Sequence, residues 1–262
     1  SVSTFLFLLV IISEIAAAQQ SYKDLTFPPL TFTPPQIERH TLENGLKIFL
    51  VEDHELPIIS MHALVKTGSI YEPVEKIGLA TVTSEVMRTG GTTHRSADDI
   101  NTTLENLAAS VEIDIENESG SADLWTLKQH LETSLAIFAD VIMHPAFDPA
   151  KVDLAKTQLL EMIRRRNDEP ESIRSREFMR VVYGKMHPLA RISQIETITN
   201  ISRADLLAFH QTYFHPNNLM LAVTGDFEPA EMLQQLTTTF QNWSPAEITF
   251  PNVETVVYEF QP

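Results

Sequence analysis

The side chains able to do chemistry in this chain are carboxylates and nine imidazoles, and there is no cysteine. Disulfides, thiolate nucleophiles, Cys-ligated zinc and iron–sulfur clusters are therefore excluded. The histidine spacings give neither H-x-x-E-H nor H-E-x-x-H. Those patterns set two imidazoles at i and i+4 on one helix face, where they can grip zinc. His210 and His215 are five apart, off a shared helix face. His187 beside Pro188 reads as a turn residue, and His54-Glu55 before Pro57 as a surface loop. His130 and His144 border a helical stretch and are too far apart to share a site locally. Glu112, Asp114 and Glu116 alternate with Val111, Ile113 and Ile115, the pattern of a strand with one solvated face. No G-x-S-x-G elbow, P-loop or dinucleotide glycine fingerprint is present, and Gly90-Gly91-Thr92 follows a helix instead of opening one.

The charge balance narrows the partners. Nineteen basic residues face 35 acidic ones, a net −16. Such a surface repels phosphate. The one dense basic run, Arg164-Arg165-Arg166, is followed at once by Asp168, Glu169 and Glu171. No nucleic-acid partner is expected. With 43% hydrophobic and 21% charged residues, the 262-residue chain has the composition of a folded protein.

The elements that would position these groups follow from periodicity. Residues 38–42 and 46–52 flank Glu43-Asn44-Gly45 and form a hairpin. A third strand spans 58–66 and Gly68 breaks it. A helix over 77–87 is stopped by Gly90-Gly91, and a second begins at the cap Ser96, with Asp98 and Asp99 in its first turn. A second hairpin joins 111–116 to 122–128 through Gly120. Helices follow at 131–143, 149–166 and 170–183, the last two opened by Asp148-Pro149 and Glu169-Pro170. Ser202 starts a helix through Tyr213, 218–224 is a buried strand, 229–240 a helix and 253–260 one more strand. Strands and helices do not alternate strictly. The expected architecture is α+β, a mostly antiparallel sheet with helices packed on one face.

The N-terminus reads differently. The apolar run at 5–12 is too short to span a bilayer, which needs about 20 residues. Small residues at Ala16 and Ala18 suit a signal peptide over 1–18. Pro28, Pro29, Pro34 and Pro35 make 19–36 an extended, Pro-rich leader. A secreted or periplasmic protein that does not span the membrane is expected.

The ordered motifs resemble one family. Glu38-Arg39-His40 through Asn44-Gly45 to Glu52-Asp53-His54 is similar to the opening hairpin of the pitrilysin/insulinase-type zinc peptidases, whose relatives include the mitochondrial processing peptidase. Lys66-Thr67-Gly68-Ser69 with Tyr71-Glu72 resembles their third strand and its exit. Asn167-Asp168-Glu169-Pro170 and Tyr183-Gly184-Lys185-Met186-His187-Pro188-Leu189-Ala190-Arg191 resemble the D-x-P and Y-G-x-H-P-x-x-R signatures. Tyr213-Phe214-His215-Pro216-Asn217-Asn218 and Val223-Thr224-Gly225-Asp226 resemble the segment near the domain's end. The resemblance covers 37–243, and implies a domain over 37–245, with 246–262 starting a linker to a second, homologous domain.

Active members carry H-x-x-E-H after G-[LT]-A, and a distant Glu completes the site. Here the aligned stretch is Gly78-Leu79-Ala80-Thr81-Val82-Thr83-Ser84-Glu85. By resemblance, Thr81 replaces the first His, Ser84 the base Glu and Glu85 the second His. Counting back from Pro170, Met162 replaces the distant Glu, with Glu161 adjacent. Glu85 with Glu161 is the weak alternative metal pair, two carboxylates without imidazole. No catalytic residue and no cofactor are expected on this chain, the zinc belonging to a partner. The implied function is a non-catalytic subunit that helps to bind and enclose peptide substrates while a zinc-peptidase subunit of the same family hydrolyses them. The alternatives are an active metallopeptidase with an altered metal site and a structural scaffold subunit.

Overall fold

The computed structural model describes residues 34–253. The readings of 1–18, of nearly all of 19–36 and of the strand at 253–260 fall outside these residues. The described chain builds one six-stranded sheet: β1 Glu38–Thr41, β2 Lys47–Glu52, β3 Ile58–Val65, β4 Ser110–Ile115, β5 Gly120–Leu127 and β6 Leu219–Gly225. The spatial order is β1-β2-β6-β3-β5-β4. Four neighbouring pairs are antiparallel, and only β2 with β6 is parallel. The sheet is therefore mostly antiparallel, as the sequence pattern required.

Alternation places the core. Leu50, Val223, Met61, Leu124 and Val111 pair in register across five strands, and all are buried. Their neighbours on the other face, among them His62, Leu64, Trp125 and Met220, are exposed. One face thus carries the helices. Burying a row of large aliphatic side chains contributes about 1.5–3 kcal/mol each, which fixes the register against slippage.

The helices are α1 Leu79–Thr89, α2 Ala97–Leu107, α3 Leu131–Met143, α4 Pro149–Arg165, α5 Pro170–Tyr183, α6 Ile195–Thr199, α7 Arg203–Tyr213 and α8 Pro229–Phe240. Their starts are chemical. Ser96 accepts from the Asp99 amide at 3.1 Å, and Asp148 from Ala150 and Lys151 at 2.9 and 3.1 Å. Ser202 and Asp205 close a capping box. Two details differ from the sequence pattern. The first helix begins at Leu79 instead of Ile77, because Gly78 takes φ +107° and ends the preceding turn. The five-residue α6 has too short a period to register as amphipathic.

Beyond α8 the chain stays attached. Asn217 exchanges two hydrogen bonds with Ala246, and the Phe250 ring packs on Tyr71 and Tyr213. Among the described residues, no helix is long and apolar enough to cross a membrane.

Candidate functional site

Helix α1 carries the positions that the resemblance singles out, and several separated segments hold it in place. Glu72 accepts from the amides of Gly78 and Ala80 at 3.0 and 2.6 Å, so a buried carboxylate caps the helix N-terminus. Burial pushes the Glu72 carboxyl up to about 7, against the pull of both amides and of the Arg191 charge. Arg191 also donates to the Glu72 carbonyl at 3.2 Å, and Thr197 to that of Ile77 at 2.8 Å. Gly78 takes φ +107°, a conformation that strains any side chain, and a Cβ there would also displace the Ile198 Cδ1 methyl 2.4 Å away. Toward its other end, Arg88 donates to the Val111 carbonyl at 2.5 Å, tying α1 to the edge strand β4.

The quoted signatures therefore meet in space as joints. Glu72 contacts Arg191 through its backbone, Tyr71 stacks on Tyr213 at 5.7 Å, and Asn218 donates to the carbonyls of Lys66 and Tyr213 at 2.8 Å. Asp226 accepts from His54 at 2.6 Å and from Lys128 at 2.8 Å.

On α1 itself, Thr81 and Glu85 face solvent one turn apart, while Leu79, Val82, Val86 and Met87 point into the core. Ser84 is buried and its hydroxyl turns back to the Thr81 carbonyl at 3.1 Å. On α4, Met162 is exposed, Glu161 is engaged by Arg164, and Ile163 turns inward. This set does not fit zinc. It holds a thioether, two hydroxyls and two carboxylates, with no imidazole, and Ser84 is committed to a backbone carbonyl. Glu85 and Glu161 belong to no group of three metal-ligating side chains among the described residues.

His210, His215 and His187 take structural places. His210 is buried and donates to the Ile142 carbonyl at 2.7 Å. Burial pulls its pKa down to about 4, so it stays neutral at pH 7. His215 donates to Gln211 at 2.7 Å, and His187 stacks on Tyr183 in the turn after α5. His54 lies on the surface, its pKa raised by the bond to Asp226. Glu112 and Asp114 are on the exposed face of β4.

One grouping escaped the sequence pattern. His94, Asp140 and His144 bring their ligating atoms within 4.8 Å of one another. Asp140 and His144 are four apart, a helical spacing, but His94 comes from the loop after α1, 46 residues before Asp140.

The sequence model of the family described as insulinase, peptidase family M16, matches residues 47–192. The chain belongs to this family. A second model, described as the peptidase M16 inactive domain, matches residues 200–262. The second match includes α7, β6 and α8, and β6 lies between β2 and β3, so this stretch is built into the same sheet as the first. Among curated relatives, the uncharacterized zinc protease YmxG of Bacillus subtilis is 24% identical over 192 residues, 72% of this chain and 46% of its own length. The mitochondrial-processing peptidase subunit beta of Dictyostelium discoideum is 20% identical, covering 82% of this chain and 46% of its own length. The chain spans about half the length of these relatives. Among solved structures, a peptidase M16 inactive domain from Pseudomonas fluorescens superposes with a TM-score of 0.76 at 24% identity, over 84% of this chain and 54% of the other. The periplasmic protease PqqL of Escherichia coli gives 0.73 at 19% identity, over 87% of this chain and 26% of the other. These similarities establish the M16 fold.

Proposed function

We propose that this chain is a non-catalytic, secreted or periplasmic member of the M16 family that helps to bind and enclose peptides while a zinc-bearing subunit of the same family cleaves them. The observation that carries the reading is the chemistry of α1. The helix is held at both ends, yet the face that bears the motif in active members presents Thr81 and Glu85 and no imidazole. With Thr81, Ser84, Glu85 and Met162 at the four motif positions, no water can be activated on a metal there.

Two surfaces support a holding role. Strand β4 is one of the two edges of the sheet and α1 packs against it, which suits an extended peptide added as a strand. Helix α5 buries none of its residues, and Phe178 and Val181, three apart, are 62% and 82% exposed. Apolar side chains this open on a helix are suited to a partner subunit. The location draws on the 1–18 signal reading and on PqqL, a periplasmic relative.

The test is to measure peptide binding and hydrolysis by the purified chain, and to identify what co-purifies with it from its own cell. Peptide that binds and stays intact, with an H-x-x-E-H subunit captured alongside, is the expected result. Hydrolysis by the chain alone that disappears with Glu85→Ala and Glu161→Ala together would overturn the reading.

A further inference from the structure

Away from the α1 motif positions, the C-terminal end of α3 gathers the ligand set that α1 lacks. Asp140 Oδ1 is 2.6 Å from His94 Nδ1 and 3.1 Å from His144 Nδ1. Its other oxygen accepts from the Thr92 hydroxyl at 2.5 Å. Thr92 in turn accepts from the amides of His94 and Arg95 at 3.2 and 3.0 Å, so the residue that orients Asp140 is itself fixed by the loop. Asp140 is 8% exposed, whereas the two imidazoles reach solvent with side chains 62% and 46% exposed.

The two segments that supply the donors are joined through their backbones. Thr92 and Pro145 form an isolated antiparallel bridge, Thr93 donates to the His144 carbonyl at 2.9 Å, and Ala146 to that of Gly91 at 3.0 Å. The His144 amide closes on the Asp140 carbonyl at 2.8 Å, ending α3. The donors therefore stand on braced backbone. The rings lie edge to face with centroids 5.1 Å apart. A bound ion would take the place of the Nδ1 protons and hold both nitrogens and the carboxylate at about 2.0–2.2 Å.

We propose that His94, Asp140 and His144 form a binding site for a first-row divalent transition ion, zinc foremost. Two imidazoles and one carboxylate are the donors of that class of ion, where calcium and magnesium prefer oxygen alone. The three ligating atoms lie within 4.8 Å of one another, close enough for a single cation to take all three. Because both rings are open to water, each can carry its remaining proton on Nε2 and turn the Nδ1 lone pair to the ion. The Thr92 bond to Asp140 supplies the outer support that ligating carboxylates need. The site opens into a groove of about 870 Å³ between α3 and α8, with Leu135 and Ala139 along one wall and Glu231 and Gln235 on the other. A three-ligand site leaves one position free toward that groove, for water or for a carboxylate or imidazole from a bound chain. The ion would also staple the loop after α1 to α3.

The experiment is zinc titration of the metal-stripped, tag-free chain by calorimetry, with cobalt absorption as a second probe. One ion per chain is expected. His94→Ala and His144→Ala should each weaken it tenfold or more, and zinc should raise the melting temperature of the unmodified chain but not of these variants. Both histidine side chains are exposed, His94 at 62% and His144 at 46%, so each variant should fold, which circular dichroism checks. The pair Glu85→Ala with Glu161→Ala should leave the affinity unchanged. Absence of binding at 100-fold molar excess of zinc, or binding indifferent to His94 and His144, would overturn the proposal. Zinc lost with Glu85 and Glu161 would overturn it too, and would count against the non-catalytic reading as well. Zinc lost only with the histidines leaves that reading standing.

Discussion

Helix α1 and the end of α3 make opposite use of charge. At α1 the titratable group is inside, and burial disfavours its charged form. Buried Glu72 caps the N-terminus, and the exposed positions 81 and 85 carry a hydroxyl and a lone carboxylate. At α3 the charged cluster is at the surface, with two open imidazoles on one mostly buried carboxylate. In one region a buried carboxyl positions a helix through two hydrogen bonds, and in the other a hydrogen-bonded cluster stands open to solvent. On the proposed reading, the fold keeps the geometry of a catalytic helix without its ligands, because different residues hold the helix and do the chemistry.

The largest expected effect tests the anchoring side of that contrast. Glu72→Ala strips the acceptor from two buried amides at the start of α1, an unsatisfied-donor cost of about 1–3 kcal/mol each. A loss of about 2–4 kcal/mol in denaturant-measured stability is expected. A loss below about 1 kcal/mol would mean that water or another group replaces the carboxylate, and that α1 is not held as described.

The pH response separates the two regions by sign. Burial raises the Glu72 pKa to about 7 from 4.5, so between these values the folded chain binds a proton that the unfolded chain has released. Stability from this group is then greatest below about pH 4.5 and declines as the pH rises to about 7, by up to about 3 kcal/mol. Glu72→Gln should flatten the slope while keeping one of the two acceptors. Asp140 behaves in the opposite way. Burial pushes it up, but the bonds from Thr92, His94 and His144 outweigh burial and hold it below the usual carboxylate value. Its contribution is present above about pH 4 and fades as the pH falls below that. Urea titrations at stepped pH, with Glu72→Gln and Asp140→Asn as references, read both slopes.

A smaller loss, about 1–3 kcal/mol, is expected for Asp140→Ala, which leaves the Thr92 hydroxyl without its acceptor and unties the loop from α3. Thr92→Val should reproduce part of this loss. Equal stability of Asp140→Ala and the unmodified chain would show that the backbone bridge from Thr92 to Pro145 holds the loop alone.

Much of this contrast was legible before the structure, but unevenly. Alternation located β3 and β4, because a half-buried strand repeats every two residues and Met61 and Val111 obey it, whereas β6, read as buried throughout, leaves Met220 exposed on one face. Ser96, Asp148 and Ser202 marked helix starts, because a side-chain oxygen before an amphipathic run has one local use. The motif positions on α1 were visible because they lie within one turn. The pairing of β2 with β6 was not, since a parallel ladder between residues about 170 apart has no local signature. The α3 site was hidden for the same reason. In sequence His144 stands a whole helix away from His130, too far to share a site, whereas the fold pairs it with His94 through the bridge at Pro145.

The smallest expected effect sharpens the comparison most. Thr81→Ala and Glu85→Ala lie on the exposed face of α1, where neither side chain caps the helix or enters the core. Each should change stability by no more than about 0.5 kcal/mol, the ordinary range for surface positions. Neither should alter zinc affinity or confer peptide hydrolysis. If either position instead costs more than about 1.5 kcal/mol, the face is covered by something in solution, and α1 touches a partner or a bound chain there. That result would move α1 from a helix that is merely held to one that takes part in binding, and peptide-affinity measurements on the same variants would show which occupant is responsible.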